Sequence, residues 1–267
     1  MRDPLAPFRW LEASPADECG LLGEIFCVSL VRRLDPAEVL SRLDPVSPAE
    51  TMTFAEVCGR ARACFEEAGD VRYVGVAQIG QWSVAVEPWG GQAALSTMTP
   101  WPARAGEVVG VGRNDYARHR FAYAVDGTVV TAFDPAEPER RWGDDPDRLN
   151  RLMREAGLEV EPPADESGGE PWHGRVTEHP VARAFALAAG ITGVALTWTA
   201  VSGLPFAGAA LRHERGRGGR RATGLDRSAD IRRWAEAHGL TMSERGRIAA
   251  TVAEQAEDLR DPPGRPG

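Results

Sequence analysis

The chain has 267 residues, 43% of them apolar, and its 31 basic residues, all Arg, stand against 39 Asp plus Glu for a formal net charge of −8. That length holds one large domain or a medium domain with a small one, and the apolar fraction is ordinary for a soluble globular protein. The start, Met1-Arg2-Asp3-Pro4, has no apolar stretch of signal-peptide type, and no run of about 18 apolar residues could span a bilayer, which argues for a cytoplasmic protein with no membrane partner.

In chain order, Trp10-Leu11 precedes a mostly apolar segment, Leu21 to Val31, that is strand or helix by pattern alone. Asp35-Pro36 opens a short helix through Leu43, with Asp as cap and Pro at the first helical position. Thr53 and Glu56 have the spacing of a capping box, and the helix they open runs to about Ala68 before Gly69. From Val71 the period changes to two. Arg72 to Ala77 and Trp82 to Val86 read as strands joined around Ile79-Gly80-Gln81, and Glu107 to Val111 is another. Phe121 to Val125 and Thr128 to Phe133 flank Asp126-Gly127, which predicts a hairpin with a type I′ turn. Asp145-Pro146 caps a further helix to about Ala156, and the acidic run from Glu161 to Glu170 has no periodicity and reads as a surface loop. A helical pattern resumes over Val181 to Ala189, while Ile191 to Leu211 is apolar but ambiguous.

Residues 1–210 therefore predict an α+β domain on a meander of antiparallel strands. Glycine and arginine at the density of Arg215-Gly216-Arg217-Gly218-Gly219-Arg220-Arg221 cannot bury a core, so 211–226 reads as a flexible linker. Residues 227–261 form a small all-α module of two helices, and 262–267 a disordered tail. In the first helix Ile231, Trp234, Ala235 and His238 share one face, with Ser228 as cap and Gly239 as stop. The second carries Ile248, Val252, Ala256 and Leu259 on one stripe.

Charge is unevenly distributed. Residues 1–210 hold 19 Arg against 30 Asp and Glu, a net −11, while residues 211–267 hold 12 against 9, a net +3. A local basic patch can bind phosphate on an acidic protein, with weakened long-range attraction and strong salt dependence. Arg245 and Arg247 flank Gly246 where the second helix begins. A glycine lets the backbone approach a surface closely, and two guanidinium groups reaching in opposite directions from it suit the narrow, negative minor groove of AT-rich DNA. The bland alternative is a pair of solvated loop arginines.

The order Ile231-Arg232-Arg233-Trp234-Ala235, Gly239, Ser243-Glu244-Arg245-Gly246-Arg247-Ile248 and Val252 resembles the C-terminal DNA-binding domain of the Lsr-type nucleoid-associated proteins of actinobacteria, analogues of the silencer H-NS. The resemblance covers about the last 40 residues. It implies minor-groove insertion for Arg245, Gly246 and Arg247 and nucleoid association. Arg232, Arg233 and the linker residues Arg215 and Arg217 then contact phosphates. Where that family usually has Pro after the Ile, this chain has Ala249. A more distant likeness, to the peripheral subunit-binding domain of acyltransferases, supplies the rival expectation of an adaptor docking on a partner protein. Trp82 to Pro88, the Phe121 to Phe133 hairpin, Arg141-Trp142-Gly143 and Gly190 to Val194 resemble an actinobacterial family of uncharacterised domains, which implies no chemistry.

Catalytic constellations do not emerge. Gly110-Val111-Gly112 follows a strand, but Asp115 stands where a dinucleotide fingerprint needs its third glycine. His119, His173, His179, His213 and His238 are scattered, and Cys19, Cys27, Cys58 and Cys64 have neither C-x-x-C nor zinc spacing. No cofactor, metal or enzymatic activity is expected. Glu87-Pro88-Trp89-Gly90 and Arg141 to Asp145 are candidate binding edges, and a pocket lined by Trp82 or Trp142 would favour a small-molecule sensor or enzyme. The leading expectation is a DNA-binding protein with AT-rich duplex as partner, whose N-terminal domain self-associates or takes a protein partner.

Overall fold

Phe26–Arg32 (β1) carries Phe26, Val28 and Leu30 to one side and Cys27, Ser29 and Val31 to the other, and all six are buried. A strand covered on both faces reads as a continuous apolar run, which is why its pattern does not separate strand from helix. The computed structural model describes residues 3–12, 22, 25–67, 71–90, 106–113, 119–161 and 177–212. After a 3-10 helix at Ala6–Glu12 and β1 come α1 (Pro36–Arg42), β2 (Glu50–Met52), α2 (Phe54–Glu66), β3 (Val71–Ile79), β4 (Trp82–Pro88), β5 (Glu107–Arg113), β6 (His119–Val125), β7 (Thr128–Asp134) and β8 (Glu137–Trp142). Then follow α3 (Asn150–Glu155), α4 (Pro180–Thr192), α5 (Trp198–Ser202) and β9 (Phe206–Arg212).

The nine strands form one antiparallel sheet in the order β2-β9-β3-β4-β1-β5-β6-β7-β8. This corrects the simple meander. Neighbours in sequence are neighbours in space for β3-β4 and for β5 through β8, but β1 is inserted between β4 and β5, and β9 between β2 and β3. Local turn chemistry specifies hairpins and says nothing about such insertions. The Asp-Gly hairpin is present, with φ 49° at Asp126 and 83° at Gly127 as a type I′ turn requires.

On one face of the sheet Phe26, Val28, Val84, Val86, Val109 and Phe121 pack under α2, α4, α5 and the 3-10 helix. Phe54 anchors that layer, with ring centroids of Trp10, Trp198 and Phe206 at 5.8, 6.1 and 5.8 Å. Gly75 lets α2 approach β3, because a Cβ there would lie 2.6 Å from Val57 Cγ2. The opposite face buries Val31, Val74, Val76, Val108 and Ala209 with Leu34, Val39 and Leu40 of the α1 region.

Caps set the helix starts. Asp35 accepts from Glu38 N with Pro36 at the first position, and Thr53 and Glu56 complete the reciprocal capping box. The helix expected from Asp145-Pro146 begins instead at Asn150, preceded by turns, and Asp145 uses its backbone to bond β7: its N–H donates to Val130 O, and its carbonyl accepts from Thr131 Oγ1. No helix of the described residues is long and apolar enough to cross a membrane.

Candidate nucleic-acid interface

The predicted contact residues Arg215, Arg217, Arg232, Arg233, Arg245, Gly246 and Arg247 lie outside the described residues, as do the two expected helices and residues 213–226 of the expected linker, whose first two residues, Leu211 and Arg212, belong instead to β9. The structure describes the point from which that stretch departs. β9 is an interior strand, flanked by β2 and β3, and its last residue, Arg212, pairs with Val71. On its other side Leu211 bridges Pro45, Val46 N donates to Ala210 O at 2.8 Å, and Ala210 N donates to Ser47 Oγ at 2.9 Å. The arginine-rich sequence thus begins from a position hydrogen-bonded on both flanks. The antiparallel bridge sets Asp44 across from Arg212, and Glu67, the C-cap of α2, stands four residues before Val71.

Inside the sheet domain, several charged groups are matched to one another. Glu87 is 1% exposed, and Arg72 Nη1 donates to its Oε2 at 3.1 Å. That removes Glu87-Pro88-Trp89-Gly90 as a binding edge: the carboxylate is inside, and Trp89 packs against Phe65 at 5.4 Å with Arg62 over its ring. Cys27 is opposite Glu87, and burial, reinforced by that carboxylate, pushes its thiol far up from its ordinary value. At the other end of β1, Arg32 pairs with Glu107, which also accepts from Tyr123 Oη at 2.9 Å. Burial, then the bond to Glu107, raises the Tyr123 phenol to about 12. Arg141 donates to Pro138 O and Val160 O at 2.8 Å and to Asp147 at 2.9 Å, so this half of the second expected edge is structural too, while Trp142 is 59% exposed.

The pairs of Arg72 with Glu87 and Arg32 with Glu107 escape a pattern search because the partners are remote in sequence. A charged residue such as Glu87 at an interior position of a strand buried on both faces is the signal that would find them.

Gly110, Val111 and Gly112 lie within β5, opposite Ser29, Val28 and Cys27, so they form ladder and not a phosphate-binding turn into a helix. His119 begins β6 with Nδ1 3.8 Å from Asp134. His179 begins α4 in the left-handed region with both ring nitrogens engaged. Arg9 Nη1 stands 3.2 Å from Nε2. Nδ1 lies 2.8 Å from Glu12 Oε2. Glu12 in turn accepts from Val181 N and Ala182 N at 3.1 Å, closing the N-terminus of α4.

Among the described residues no group of three His, Cys, Asp or Glu could hold a metal ion. A small apolar cleft between sheet and helices is lined by residues including Trp10, Phe54, Val84, Val201 and Phe206, and neither Trp82 nor Trp142 borders it. It offers no convergent polar groups of the kind that orient a ligand.

Comparison with known proteins divides the chain in two. Residues 3–215 match a family model described as a family of unknown function (DUF6461), and residues 224–257 match the Lsr2 DNA-binding domain. No curated protein and no solved structure matches the chain.

Proposed function

The chain belongs to the family of unknown function DUF6461 and carries an Lsr2 DNA-binding domain, which supports a DNA-binding role, and from that premise we propose that it reads AT-rich minor groove through Arg245-Gly246-Arg247. The observation that carries the proposal is that this tripeptide, with Arg232 and Arg233, falls inside the 224–257 match. Two guanidinium groups beside a glycine have the width and charge for a narrow groove. Arg232, Arg233 and the linker residues Arg215 and Arg217 neutralise phosphates, which position the module without specifying sequence. The protein acts at the nucleoid, and the sheet domain serves as an association unit with no catalysis of its own. A module this small buries little surface, so tight binding requires avidity from self-association or crowding along DNA.

The test is fluorescence anisotropy of the full chain on AT-rich and GC-rich duplexes of equal length across a salt series. Tighter AT binding, lost on Arg245→Ala/Arg247→Ala substitution, supports groove readout. Equal binding of both duplexes that persists in the double variant sinks it, and no binding turns attention to a protein partner of the module.

A further inference from the structure

We draw no further inference here: the strongest candidate, the exposed outer face of α2 formed by Ala55, Gly59 and Ala63, where an added Cβ on Gly59 would meet nothing within 4 Å, is a stripe of small residues alone, and nothing among the described residues shows what covers it.

Discussion

Arg72 Nη1 stands 3.1 Å from Glu87 Oε2 within the sheet, where the Glu87 side chain is 1% exposed and the Arg72 side chain 16%. The guanidinium offsets part of the desolvation of a carboxylate this deep. Arg72→Leu removes that compensation from a buried carboxylate and should cost about 3–5 kcal/mol in chemical denaturation. Arg72→Leu/Glu87→Leu should recover most of the loss, because two apolar side chains fill the site without a desolvation penalty. A double variant no more stable than the single one would show that Glu87 serves another partner as well.

Glu12 ties the first described segment to a helix 168 residues later in the chain, accepting from Val181 N and Ala182 N. Pro180 has no N–H of its own to cap, so these two donors are among the few at that helix end. Glu12→Ala should lower stability by about 1–2 kcal/mol, as for loss of a helix cap with a favourable charge at the dipole. Glu12→Gln keeps an acceptor without the charge and should fall between. Thermal unfolding of the three proteins at equal ionic strength checks the order.

Much of the local structure is legible in the sequence because its causes are local. Thr53 with Glu56, Asp35 with Pro36, and Asp126-Gly127 each specify a cap or turn within a few residues, and each is present. β1 and β9 are ambiguous because both faces are covered, and their insertion between other strands rests on pairings with residues far along the chain, such as Val28 with Val86 and Val111. β2 and β8 are too short or too charged to announce themselves, with Glu137, Glu139, Arg140 and Arg141 in one six-residue edge strand. For the candidate DNA site, the sequence carries the whole signal, since Arg245, Gly246 and Arg247 lie outside the described residues.

Cys58 packs in α2 against the sheet, and burial pushes its thiol up to about 12 from an ordinary value of 9.0. The folded value lies above the unfolded one, so its contribution is fully present below about pH 9. It is lost as pH rises from there towards 12, because the unfolded chain releases the proton first. The loss is about 1.4 kcal/mol per pH unit in that window. Denaturant midpoints should therefore fall between about pH 9 and 10.5, and Cys58→Ala should show a smaller fall than the parent protein. Consistent with low thiolate content, Cys27 and Cys58 should resist a thiol reagent near pH 8 in the folded protein and react on unfolding. Rapid labelling of either in the native state would contradict their burial.

Gly75 and Val57 make a close approach between α2 and the sheet, with an added Cβ falling 2.6 Å and 2.8 Å from the two Val57 methyl carbons and 3.2 Å from Phe206. Val57 is fully buried and cannot swing into solvent, so Gly75→Ala must displace the helix or force a strained rotamer, at about 1–3 kcal/mol. Val57→Ala alone should cost about as much through the cavity it leaves. The two changes are complementary in volume, and Gly75→Ala/Val57→Ala should be more stable than the sum of the single losses allows, with a coupling of about 1 kcal/mol or more. Additive losses would mean that the helix shifts freely over β3 and that Gly75 is tolerated there without being required.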